Sequence, residues 1–199
     1  MCDITQEIKE QINNLERYVA IRSRLLRIYY CIERISNILD DIGESFDKCK
    51  YEELQEYFSL NDAFIISYGA IFNSSLAAKH VSFDDKIFDD DIELKNIHKD
   101  IMQQRNKIVA HHDFRDKEEV TGSGFYIKSL VECKVDENTV KLTTSMAFDK
   151  NSIFVTKERV RKYKEIYNKI MAYRDKKERK ILDKIEKITN KKVIVNGDI

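Results

Sequence analysis

Residues 102–114 read Met102-Gln103-Gln104-Arg105-Asn106-Lys107-Ile108-Val109-Ala110-His111-His112-Asp113-Phe114. Placed on an ideal helix at ~100° per residue, Arg105 lies about 40° from Ile101, with Ile108 about 20° to the other side. Arg105 therefore sits on the stripe set by Ile97, Ile101 and Ile108, which is the face a helix buries. On the same wheel His112 falls within about 20° of Arg105, and His111 flanks that face about 120° away. A cation on an inward face is costly unless a carboxylate, a set of carbonyls or a polar cleft compensates it. Two adjacent histidines are also ordinary at a helix C-terminus, where imidazolium meets the terminal carbonyls.

Outward from this segment the chain reads as helix on both sides. Leu94, Ile97 and Ile101 carry the stripe back to Asp90-Asp91, a capping pair favoured by the helix dipole, so the helix is expected over about 91–112. Before it, 81–90 reads as an acidic loop. Residues 62–79 are the most apolar stretch and predict a central helix with small residues (Gly69, Ala70, Ser74, Ser75) for close approach. A shorter helix is expected at 50–58, with Asn61-Asp62 capping the next. Residues 4–41 show apolar positions at spacings of three and four, a phase shift near Ala20–Ser23, and Gly43 as the stop.

Downstream the period changes. Gly122-Ser123-Gly124 and Asp136-Glu137-Asn138 read as turns around β-branched and aromatic runs, which predicts a β-hairpin insertion at about 124–148. Thr156 then caps a basic helix to about Thr189, with Val160, Tyr163, Tyr167, Ile170 and Met171 facing inward. The fold class is mainly α: one domain over residues 1–199, an antiparallel helical bundle with a small hairpin. The absence of proline and the presence of only five glycines fit long uninterrupted helices.

Composition narrows the function classes. Hydrophobic residues at 42% are enough for a core, which excludes a disordered chain despite 35% charge. The formal net charge of zero advertises no global field for nucleic acid. Charge is segregated, however: residues 84–100 hold seven acids against three lysines, and 157–192 hold fifteen Lys or Arg against six acids. That tail is either a solvated helix face or a surface for RNA or a partner. Cys2, Cys31, Cys49 and Cys133 show neither a C-x-x-C pair nor zinc spacing, so free thiols in a reducing cytoplasm are expected. The polar start MCDITQEIKEQ does not read as a signal peptide, and no run approaches the ~20 apolar residues of a membrane span. No cofactor is expected, and there is no glycine-rich nucleotide loop or G-x-S-x-G. His98 and His80 read as a solvated and a helix-terminal histidine. The aspartates at 84–91 read as caps rather than a cation site.

Arg105-Asn106 followed after a short run by histidine, late in an amphipathic helix, resembles the signature of the HEPN superfamily. Five residues separate Arg105 from His111 and six separate it from His112, both within that family's range. The wording RNKIVAHHD is similar to bacterial HEPN-like families of abortive infection, whose histidine maps onto His111 and whose aspartate maps onto Asp113. Upstream, Asp62–Phe72 resembles the segment those proteins place before the motif helix. It includes Tyr68, but has Ala70 where a basic residue is expected. The resemblance implies an antiparallel bundle, a homodimer built on the 62–79 and motif helices, and a metal-independent endoribonuclease of toxin or phage-defence type. Arg105, Asn106, His111 and His112 would be its catalytic candidates, with Tyr68 and Asp113 as binding candidates. RNA and an antitoxin or other protein would be the partners, with no membrane. The alternative is a non-catalytic HEPN-like module that binds nucleotide, RNA or a partner protein.

Overall fold

The computed structural model describes residues 5–43, 50–73, 82–110, 127–135, 140–148 and 156–194. It is mainly helical. Helix α1 spans Gln6–Ala20, α2 Arg22–Ile42, α3 Tyr51–Phe72, α4 Ile92–Ala110 and α5 Lys157–Thr189. A 3-10 turn covers Asp85–Phe88 ahead of α4. Strands β1, Ile127–Val135, and β2, Val140–Phe148, pair antiparallel with Val131 opposite Thr144 and Val135 opposite Val140. The turns expected at 122–124 and 136–138, and the β-like residues 125–126 and 153–155, lie outside the described residues.

Local chemistry sets several boundaries. Thr5 and Thr156 cap α1 and α5, and the Thr156 hydroxyl accepts from the Arg159 amide at 3.1 Å. Asp91 caps α4 by accepting from the Leu94 amide at 3.0 Å. Gly43 ends α2 at φ 68°, a backbone conformation that side-chain-bearing residues rarely adopt. The phase shift near residue 20 is a real break: Ile21 stands between α1 and α2, fully buried.

Two expectations fail for physical reasons. Asn61-Asp62 caps nothing, because α3 runs unbroken from Tyr51 through Phe72. Tyr57, Leu60, Phe64, Tyr68 and Ile71 form one continuous buried stripe, and that burial, at ~1.5–3 kcal/mol per large side chain, outweighs a local capping preference. The apolar stripe foreseen along 4–41 also divides. In α1 the buried residue is Gln11, while Ile12 and Val19 are exposed. The restart at Ile21 rotates the burial phase, so that Leu25, Ile28, Ile32, Ile35 and Leu39 of α2 carry the core.

Helices α2, α3, α4 and α5 enclose that core. Phe64 stacks on Tyr163 with ring centroids 4.6 Å apart, joining α3 to α5. Helix α5 runs antiparallel to α2 and α4, as its ion pairs show: Lys157–Asp40 and Lys164–Glu33 on α2, and Arg159–Asp100 and Lys162–Glu93 on α4; Lys184–Glu7 ties it to α1. Lys169 pairs with Asp90 just before α4. The acidic stretch and the basic tail are thus in part each other's partners. The acidic loop is also more than a loop, since Phe83, Ile87 and Phe88 are buried and anchor it to the core.

Candidate site: an arginine laid across a glycine

Helix α4 turns Leu94, Ile97, His98 and Ile101 inward. One turn beyond Ile101, Arg105 is half-buried on the same stripe, as the wheel predicts. Its aliphatic stem crosses α3 at Gly69. A Cβ at that position would stand 2.7 Å from Arg105 Cγ, 3.1 Å from Cδ and 3.3 Å from Cβ. Only a residue without a side chain leaves room for the stem, and the stem in turn covers apolar surface while the head stays polar.

The guanidinium is held by two asparagines. Nη1 donates to Asn106 Oδ1 at 3.1 Å. Asn73, immediately after the last turn of α3, accepts through its Oδ1 from Nη1 at 3.1 Å and from Nη2 at 2.8 Å, its amide being oriented by these partners. Both acceptors are neutral. They fix the direction of the guanidinium without cancelling its charge. By contrast Arg22, Arg34, Arg159, Arg161, Arg174 and Arg179 each meet a carboxylate. The compensation required for an inward-facing cation is supplied here by amide oxygens, and no carboxylate among the described residues pairs with Arg105. A cation so held can receive an anionic oxygen pair.

Beneath this site lies a buried polar contact. His98, expected to be solvated, is buried at 5% exposure, and its Nδ1 is 2.9 Å from the Tyr68 hydroxyl. Phe72 and Phe88 pack against its ring, with centroids 4.5 and 5.2 Å away. Burial holds the imidazole below its ordinary 6.5; Asp85 opposes the shift, and Lys95 and Lys99 add to it. Tyr68 is pushed well above its ordinary 10.0, first by burial and then by Tyr163. At neutral pH both are uncharged, and the bond ties α3 to α4 one residue before Gly69. The signal for His98 was present: it lies four residues after Leu94 and three before Ile101, on the buried stripe.

Of the residues expected to form the site, Arg105 and Asn106 meet each other on α4. Tyr68, expected to bind a ligand, is fully buried and its hydroxyl is engaged by His98. His111, His112, Asp113 and His80 lie outside the described residues. Nothing in the sequence singled out Asn73. The absent side chain of Gly69 predicts close helix approach, whereas what approaches it is the Arg105 stem. Cys31 is a buried free thiol whose pKa burial raises. Among the described residues no helix is long and apolar enough to cross a membrane. In comparisons with known proteins, no family model, no curated protein and no solved structure matched this chain.

Proposed function

We propose that this protein is a metal-independent endoribonuclease of a toxin or phage-defence type, a HEPN-like antiparallel bundle with a β-hairpin insertion at about 124–148. It acts in the cytoplasm as a homodimer whose two Arg/His motifs form one composite site. The observation that carries this reading is Arg105 itself: a half-buried guanidinium at the end of the inward stripe, seated across Gly69 and held by asparagine oxygens that leave its charge intact.

The chemistry asks for few groups. A ribose 2′-OH attacks the adjacent phosphorus, losing its proton to a base, while an acid protonates the departing 5′-oxygen. The products are a 2′,3′-cyclic phosphate and a 5′-hydroxyl. Histidine serves as base and as acid because its pKa lies near working pH, and two copies of the motif supply one of each. His111 takes this role in the family alignment, with His112 the neighbour favoured by the helical wheel. Arg105 receives the charge that grows on the non-bridging oxygens. Asn106 holds the guanidinium. Asp113 is the binding candidate of the family alignment, and an antitoxin or other protein is the partner that restrains the activity.

Ala70 stands where the resembled families carry a basic residue, and this favours a second reading: a non-catalytic module that binds RNA, nucleotide or a partner through the same arginine. Incubating the purified protein with single-stranded RNA in EDTA separates the two. The nuclease reading expects cleavage by wild type and a loss on the order of 10²–10⁴-fold in His111→Ala. RNA that stays intact while remaining bound supports the module instead.

A further inference from the structure

A guanidinium has five N–H bonds in a fixed plane, and its two useful edges are distinct. One is the Nη1/Nη2 end; the other is the side formed by Nε–H and the nearer Nη2–H. In Arg105 the first edge is taken. Asn73 Oδ1 receives one hydrogen from each Nη, and Asn106 Oδ1 receives the second hydrogen of Nη1. That leaves Nε–H and one Nη2–H, side by side, with no acceptor among the described residues. Their spacing suits two oxygens of one phosphate.

Which edge is occupied depends on α3. The stem can lie where it does only because position 69 has no Cβ, and the end edge is engaged only because Asn73 follows the last turn. We infer that Gly69 and Asn73 are positioning residues for Arg105, seating its stem and occupying its Nη1/Nη2 end so that the Nε/Nη2 edge is the one presented to a phosphate. This rests on the proposed ribonuclease activity for the identity of that phosphate as an RNA linkage, but the geometry concerns any phosphoryl oxygen pair.

The amide at residue 73 is the informative atom set. An aspartate there accepts the same hydrogen bonds in the same place, so it keeps the docking, but it neutralises the guanidinium that the asparagine leaves charged. A structural role tolerates that exchange and an anion-receiving role does not. Gly69→Ala does the reverse: it leaves the charge and displaces the stem.

The test compares wild type, Asn73→Asp and Gly69→Ala. Three quantities are measured: kcat on single-stranded RNA in EDTA, the thermal midpoint, and the Arg105 Nε–H cross-peak during titration with inorganic phosphate. The expected result is a phosphate-dependent shift of that cross-peak in wild type and none in Asn73→Asp. With it comes a fall in kcat of about 10²-fold for Asn73→Asp, the scale of losing one transition-state donor. The thermal midpoint of Asn73→Asp stays within a few degrees of wild type. Gly69→Ala moves the cross-peak even without phosphate and lowers kcat. If wild type cleaves RNA and Asn73→Asp cleaves it equally fast, the positioning inference is wrong and the nuclease reading stands. If no RNA is cut but phosphate shifts the wild-type cross-peak and not that of Asn73→Asp, the positioning holds and the nuclease reading falls. A wild-type cross-peak indifferent to phosphate overturns the inference whatever the kinetics.

Discussion

Replacing Gly69 by alanine puts two opposed effects on one methyl group. Alanine in a helix interior is favoured over glycine by ~0.8–1.0 kcal/mol. Against this, the new Cβ would sit 2.7 Å from Arg105 Cγ and 3.3 Å from Arg105 Cβ. The Cγ can swing away only by giving up the bonds to Asn73; the Cβ is fixed to α4 and yields only if the helices part. Overpacking of this kind costs ~1–3 kcal/mol, so in the wild-type background Gly69→Ala is expected to be destabilising by ~0–2 kcal/mol. Once Arg105 is cut back to alanine, Cγ and Cδ are gone and one tight Cβ contact remains. In that background Gly69→Ala is expected to gain ~0.5–1 kcal/mol from propensity. Urea denaturation followed by far-ultraviolet circular dichroism, on wild type, both single variants and the double, gives the coupling directly. The expected interaction is ~1–3 kcal/mol with a change of sign between backgrounds. A Gly69→Ala effect equal in both backgrounds to within ~0.3–0.5 kcal/mol would refute the clasp.

Acidification tests the buried pair. The folded protein resists protonating His98, while the unfolded chain takes up the proton near its ordinary 6.5, so stability is complete above that pH and falls as pH drops through the depressed folded value. The double variant Tyr68→Phe,His98→Leu is expected to flatten denaturation midpoints between pH 7 and 5; an unchanged slope would show that His98 is not the group responsible. On α5, Arg174 and Glu178 form a buried ion pair with Arg22 beside it. Glu178→Ala leaves Arg22 without its carboxylate and Arg174 with only the exposed Asp175, and is expected to lose ~1–3 kcal/mol by urea titration, whereas a loss under about 0.5 kcal/mol would mark the pair as solvated. Light scattering at micromolar concentration is expected to give twice the mass of one chain, and a monomer would contradict the composite site.

What was legible in the sequence was local. Thr156 and Asp91 announce helix starts through their own side chains, Gly43 announces a stop, and the wheel alone places Arg105 on the inward stripe. What was not legible depended on partners distant in the chain. Asn61-Asp62 carries the composition of a cap, and only the packing of Tyr57, Leu60 and Phe64 shows that α3 passes through it. The acid-rich and base-rich segments were visible as segments, but their pairing, as in Glu93–Lys162 and Asp100–Arg159, spans about sixty residues or more. The charged sequence neighbours of His98, Lys99 and Asp100, predict a solvated histidine, although its neighbours in space are Phe72 and Phe88. Asn73 carries no sequence signal at all; its role exists only because α3 ends where Arg105 arrives.

The chemistry of the RNA ends is the most direct signature of the proposed activity. Single-stranded RNA treated with the protein in EDTA, with its termini analysed by mass spectrometry, is predicted to carry 2′,3′-cyclic phosphates and 5′-hydroxyls. Arg105→Lys is predicted to slow their formation, because lysine keeps the charge but lacks the planar fork. Intact RNA, 5′-phosphate products, or equal rates from wild type, Arg105→Lys and His111→Ala would contradict it.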